Sequence, residues 1–154
     1  MLSTVRPARL TPLRGRLLDG LGEDHELWLD GGHNPAAARA IADHFRGHVP
    51  AGTPFHIVFG LLENKDAAGV LKPFRGRAAT LHAIPIEGHA HHAPATLASA
   101  AREQGITAMT ARDAEDALSW IARHADRAAP PIVLILGSLY LAGEILKKNG
   151  QAPA

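Results

Sequence analysis

The run Leu27-Trp28-Leu29-Asp30-Gly31-Gly32-His33-Asn34-Pro35 constrains the fold more than any other stretch. An apolar segment ends in an acid, two glycines, a histidine and an asparagine. A proline then opens an alanine-rich segment. The pattern predicts strand, tight turn and helix, with polar groups gathered at the strand's carboxyl end. Paired glycines let a backbone turn sharply and approach a ligand closely. Asn34 is the expected helix cap, and Pro35 suits the first helical turn, where a missing N–H costs little. Free N–H groups and a partial positive charge at that helix start suit a phosphate or a carboxylate. In open α/β sheets, ligands sit at this edge. The residues alone leave a second reading open: a well-made βα turn in which Asn34 is only a cap and His33 an exposed loop residue.

Composition narrows the class. A chain of 154 residues can enclose one domain with its own core. Its 46% hydrophobic and 20% charged content is that of a soluble globular protein. No apolar run approaches the ~20 residues of a membrane span. The N-terminus lacks the basic-then-apolar pattern of a secretory signal. A formal net charge of +1 gives no reason to expect nucleic acid or an anionic membrane as partner. The absence of cysteine excludes disulfides, thiolate catalysis and cysteine-based zinc sites. A cytoplasmic location is the expectation.

Along the chain, apolar stretches at residues 15–21 and 25–30, joined by Gly22-Glu23-Asp24, suggest a β-ribbon. From Pro35, helical spacing puts Ala37, Ala38, Ile41 and Phe45 on one face, with Gly47 as the expected stop. Phe55-His56-Ile57-Val58-Phe59 reads as a buried strand. Gly60-Leu61-Leu62-Glu63-Asn64-Lys65-Asp66 follows it, then a helix through Phe74. This stretch lacks the second glycine and the hydroxyl of a phosphate-binding loop, which excludes that motif. Lys65 stands at a strand's carboxyl edge, where a cation meets an acidic substrate. The alternative is a solvent-facing lysine beside an Asp66 cap.

Residues 79–84 read as the next strand. In the loop that follows, His89, His91 and His92 fall within four residues. A transition metal is one reading, but no carboxylate spacing accompanies them and successive loop residues seldom converge on one ion, so no metal site is expected. Helices over 95–104 and 113–124 flank a short strand at 106–109. Ile132-Val133-Leu134-Ile135-Leu136 is the most apolar run and the expected central strand. Gly137-Ser138 then repeats the strand-to-helix logic before a helix to about Lys148, and the tail from 149 is expected to fray. Ser138 presents a hydroxyl to the crevice or simply caps the helix. Without a G-x-S-x-G elbow it is not read as a nucleophile.

Strands alternating with helices imply an α/β fold: three αβα layers around a mainly parallel, mixed, Rossmann-like sheet of about six strands, with an N-terminal β-ribbon. Asp30, His33, Lys65, Asp66 and Ser138 all follow strands and should share one sheet edge. That convergence argues for a binding surface over scattered caps.

Asp30-Gly31-Gly32-His33-Asn34-Pro35 resembles the DG[AG]HNP signature in the C-terminal domain of the folylpolyglutamate synthase/dihydrofolate synthase family, in the Mur ligase superfamily. Three further stretches agree in order. Arg6-Pro7-Ala8-Arg9-Leu10 is similar to WPAR[LM], with Arg6 standing where the family has an aromatic. Residues 60–66 resemble G[MI]LADKD. Gly137-Ser138-Leu139-Tyr140-Leu141-Ala142-Gly143-Glu144 resembles GS[LF]YLxGE.

The resemblance implies that residues 1–154 form the glutamate-ligase domain of an ATP-dependent ligase that joins L-glutamate to dihydropteroate or a folate through an acyl phosphate. It implies ATP contacts from Arg9, Asp30, His33 and Asn34, with His33 also catalytic, and glutamate contacts from Lys65, Ser138 and Leu139. ATP and magnesium would be held mainly by an N-terminal domain that carries the phosphate loop, since no GxxxxGK[ST] occurs here. The chain alone is then expected to fold without catalysing, and its uncovered surface to favour self-association. The other classes left open are a non-catalytic module that binds an amino acid or nucleotide, and an interaction module.

Overall fold

The computed structural model describes residues 10–22, 24–125 and 128–150. Its strands are β1 (Thr11–Pro12), β2 (Glu26–Asp30), β3 (Phe55–Phe59), β4 (Thr80–Ala83), β5 (Ala108–Thr110) and β6 (Ile132–Leu136). They form one six-stranded sheet in the order β1-β2-β6-β3-β4-β5. β1 runs antiparallel to β2, and every other pairing is parallel. The helices are α1 (Arg16–Leu21), α2 (Pro35–His48), α3 (Ala67–Leu71), α4 (Pro94–Glu103), α5 (Ala114–His124) and α6 (Leu139–Lys148). A single 3-10 turn, Lys72–Phe74, prolongs α3.

The three layers follow from strand alternation. Odd-numbered residues of β3 and β4 and even-numbered residues of β6, among them Ile57, Leu81 and Leu134, pack with Ile41 and Phe45 of α2, Val70 of α3 and Leu97 of α4. The opposite face, with Leu29, Val58 and Ile135, packs with Leu17 of α1, Leu118 of α5 and Ile145 of α6. Every residue of β3 and β6 is buried, as both faces of a covered parallel sheet require. Each large aliphatic side chain so enclosed contributes about 1.5–3 kcal/mol.

Three local expectations are corrected. Residues 16–21 are a helix, not a strand: Leu17 and Leu21, four apart, form one buried face. The ribbon partner of β2 lies further upstream, where Pro12 pairs with Trp28 at the sheet's edge, the place a strand tolerates proline. α2 does not stop at Gly47 but runs to His48, with Val49 as its cap. Pro50 ends it instead, because a residue before proline is pushed out of the helical region. Asn149 is no frayed end: it is 6% exposed, accepts the Leu17 N–H at 2.9 Å and donates to the Arg14 carbonyl. It fastens α6 to the start of α1.

The order β2-β6-β3 creates the feature that matters for function. The chain steps outward from β3 to β5 with α2, α3 and α4 on one face. It then returns on the other face through α5 to place β6 between β2 and β3. At the carboxyl ends of β6 and β3 the next helices therefore leave toward opposite faces, the kind of switch point at which open α/β sheets take their ligands.

Candidate functional site at the carboxyl edge of the sheet

Asp30, Leu136 and Phe59 are level across the sheet. The turns that follow them therefore emerge side by side, carrying Asp30 to Asn34, Gly137-Ser138 and residues 60–66. The chain brings its sequence-predicted groups to one edge, with the exception of Arg9, which lies outside the described residues.

Asp30 is 5% exposed. Its Oδ1 accepts the Gly32 N–H at 2.6 Å, and no described cation forms an ion pair with it. Burial pushes its carboxyl up from 3.8 to about 6, against the opposing pull of the Gly32 N–H. Neither Gly31 nor Gly32 takes a positive φ, so the turn is not what demands glycine there. At Gly32 the demand is space: a Cβ would stand 3.0 Å from both Asp30 Oδ1 and Ile41 Cδ1.

His33 is half-buried, with Nδ1 3.1 Å from the Gly31 carbonyl. A carbonyl can only accept, so Nδ1 carries the proton, and in the neutral ring Nε2 keeps its lone pair for an incoming group. Asn34 caps α2 by accepting the Ala37 N–H at 2.9 Å, as expected, and Pro35 is the first helical residue. Such a cap is worth about 1 kcal/mol.

Ser138, 2% exposed, caps α6 by accepting the N–H groups of Tyr140 at 3.1 Å and Leu141 at 3.4 Å. Its hydroxyl proton remains available to a ligand acceptor. Gly137 has φ 128°, and a Cβ there would meet the Gly60 carbonyl oxygen at 1.8 Å. The β6 and β3 turns can touch only because this residue lacks a side chain.

Lys65 is half-buried, and among the described residues it forms no ion pair. Asp66 caps α3 through the Gly69 N–H at 3.0 Å. Leu139 and Tyr140, which open α6 after Ser138, are 46% and 54% exposed. A groove of about 570 Å³ between α2 and α3 begins at Pro35 and Asp66, the chain neighbours of Asn34 and Lys65. A groove of about 640 Å³ between α1 and α5 contains none of the predicted site residues.

The histidine loop was weighed in sequence only as a metal site, and its contacts were missed. His92 Nε2 lies 2.8 Å from the Lys65 carbonyl, and the His89 ring stacks on Tyr140 with centroids 3.8 Å apart. Nothing in local sequence signals either contact, because each depends on the β3-β4-β6 arrangement.

Residues 17–139 match the family described as Mur ligase, glutamate ligase domain. No curated protein sequence matches the chain. Among solved structures, the chain is similar to Mycobacterium tuberculosis folylpolyglutamate synthase complexed with ADP and AMPPCP. The TM-score is 0.79 at 22% identity, over 97% of this chain and 34% of that one. It is also similar to the bifunctional folylpolyglutamate synthase/dihydrofolate synthase of Yersinia pestis CO92, with TM-score 0.71 and 24% identity over 94% of this chain and 31% of that one. A bifunctional synthase solved with Mn, AMPPNP and L-glutamate gives TM-score 0.71 and 26% identity over 94% and 32%. The chain thus spans about a third of the length of the solved synthases it matches. Fold, strand-end site and sequence match agree: the chain belongs to the Mur ligase glutamate-ligase-domain family.

Proposed function

We propose that this chain is the amino-acid-binding domain of an ATP-dependent ligase that joins L-glutamate to dihydropteroate or a folate. The observation that carries the reading is the emergence of the β2, β6 and β3 turns side by side, so that Asp30, His33, Ser138 and Lys65 all follow strands at one sheet edge. Support comes from the synthases of the same fold solved with adenine nucleotides and, in one case, with L-glutamate.

In this reading the phosphate loop and folate pocket belong to a second domain. Among the described residues no three His, Asp or Glu side chains are grouped to hold a metal ion. In this reading the divalent cation goes with ATP to that second domain.

The reaction joins a carboxylate to an amine. ATP phosphorylates the folate-side carboxylate and ADP departs. The glutamate amine then attacks the acyl phosphate, a C–N bond forms, inorganic phosphate leaves and the amine loses a proton. The domain contributes position. Asp30 accepts hydrogen bonds from ribose hydroxyls, with Oδ1 already engaged by Gly32 and Oδ2 left for the nucleotide. Asn34 holds the turn, and His33 offers Nε2 beside the phosphates or the reacting centre. Arg9 offsets phosphate charge. Lys65 pairs with a glutamate carboxylate while Ser138 and the α6 start hold the substrate by Leu139, so that the amine is near and aligned.

Chemical-shift titrations test the assignment. L-glutamate should move the amides of Lys65, Ser138 and Leu139, and ADP those of residues 30–34. Turnover should appear only when the chain is combined with a phosphate-loop domain from a synthase of this fold. Perturbations confined to the α1–α5 groove would overturn the reading, as would ligase turnover by the chain alone for the division of labour.

A further inference from the structure

We propose that the loop of residues 85–93 is a strap that sets the geometry of the amino-acid site, with His92 and His89 as positioning residues. The proposal rests on the reading of Lys65 and Ser138 as the two holding points for glutamate. One end of the strap is tied to the lysine turn. Leu62 and His91 form an antiparallel bridge, Glu63 N–H donates to the Ala90 carbonyl at 3.2 Å, and His92 N–H donates to the Leu61 carbonyl at 2.9 Å. His92 Nε2–H then donates to the Lys65 carbonyl at 2.8 Å, across 27 positions of sequence. The other end lies against the serine turn, where the His89 ring covers one face of Tyr140 at 3.8 Å and 16° between planes. His91 braces the loop from within, its Nδ1 2.8 Å from the His89 carbonyl.

The consequence is metric. Lysine has a long flexible stem, so the place of its backbone decides where the ammonium can reach with little entropy loss. α3 has only five residues, and its one side-chain cap, Asp66, faces forward onto Gly69. The turn before it is held by the Lys65 N–H on the Leu62 carbonyl at 3.1 Å and, from outside, by the imidazole on the Lys65 carbonyl, while the His89–Tyr140 stack ties the same loop to the α6 start. Together they set the span between Lys65 and Ser138, and hence the length of the acidic amino acid that bridges them. Discrimination of glutamate from aspartate, one methylene shorter, then depends on the strap.

The test uses the chain with His92→Ala, His92→Gln, His89→Ala, His89→Phe and Lys65→Ala. Amide exchange reads the strap, and titration with L-glutamate and L-aspartate reads the site. His92→Ala should speed exchange across residues 61–65, weaken L-glutamate about five- to tenfold and lower the glutamate-to-aspartate ratio. His92→Gln, which keeps an N–H donor, should restore both, as His89→Phe should restore what His89→Ala loses. Because His92 acts through Lys65, adding His92→Ala to Lys65→Ala should cost little further. Unchanged exchange in His92→Ala overturns the strap itself. Faster exchange with an unchanged glutamate-to-aspartate ratio overturns its positioning role. Failure of Lys65→Ala to weaken L-glutamate, or no glutamate binding by the unaltered chain, overturns the amino-acid-site reading and the positioning role with it.

Discussion

Replacing Asp30 by asparagine should make the protein more stable and worse at binding nucleotide. The carboxyl is 5% exposed, has one hydrogen bond, from Gly32, and burial lifts it from 3.8 to about 6. The native state therefore holds this proton more tightly than the unfolded chain does. Stability from this group is complete below pH 4, declines as pH rises toward 6 and stays reduced at neutrality. Moving a carboxyl from 3.8 to about 6 corresponds to about 3 kcal/mol. Asparagine keeps a neutral oxygen for the Gly32 N–H, as the protonated carboxyl does, and the pull of that N–H on the charged form is already contained in the shift. Asp30→Asn should thus gain about 3 kcal/mol at pH 7.5, and most of the gain should disappear near pH 4. Urea unfolding of both proteins from pH 4 to 8 measures the gap, and an ADP titration of the same samples measures the loss. A variant no more stable than the parent at pH 7.5, or a gap that does not change with pH, would refute the reasoning.

The remaining predictions concern other parts of the fold. Burial, reinforced by neighbouring histidines, holds His56 and His82 down at about 4, so both stay neutral in the native state and protonate in the unfolded one. Stability should fall as pH drops from 6.5 to about 4, by up to about 2–3 kcal/mol per pH unit before the opposing Asp30 contribution, and a His56→Gln/His82→Gln pair should flatten that limb in urea melts. Gly137→Ala forces a Cβ against the Gly60 carbonyl at a positive φ, and should lose about 3–5 kcal/mol in urea unfolding together with glutamate affinity. Asn149→Ala frees the Leu17 N–H and the Arg14 carbonyl, and should lower the urea-derived stability by about 1–3 kcal/mol, where a frayed residue would show no change.

What could be read from sequence was local and periodic. Five consecutive apolar residues marked β6, and Ala38, Ile41 and Phe45 marked the buried side of α2. The strand-turn-helix grammar around Asp30 and Ser138 placed both at strand ends and named Asn34 and Asp66 as caps. Residues 16–21 misled because a short apolar run carries too few turns to separate a helical period from a strand's. Asn149 misled because its partners lie 132 and 135 positions away. The role of the histidine loop is not legible locally for the same reason: its partners are the carbonyl of Lys65 and the ring of Tyr140, which follow other strands. Pairing of β6 between β2 and β3 is likewise non-local, and it decides whether the turns share a crevice.

Local geometry also separates the residues that any βα turn would select from those that need another explanation. Asn34, Asp66 and Ser138 each commit a side-chain oxygen to the start of a helix, so stability alone accounts for their identity. Gly137 is required by the space around it, and a Cβ at Gly32 would crowd Asp30 and Ile41. Asp30 is different: asparagine would make the same bond to Gly32 without placing a charge where water is excluded. Lys65 is different too, a half-buried cation with no described ion pair. A sequence selected for stability alone has no reason to keep a carboxylate and an ammonium, neither ion-paired among the described residues, on turns of the same sheet edge. The substrates proposed above, with hydroxyls for one and a carboxylate for the other, would supply that reason, so the proposal rests on these two residues more than on the caps beside them.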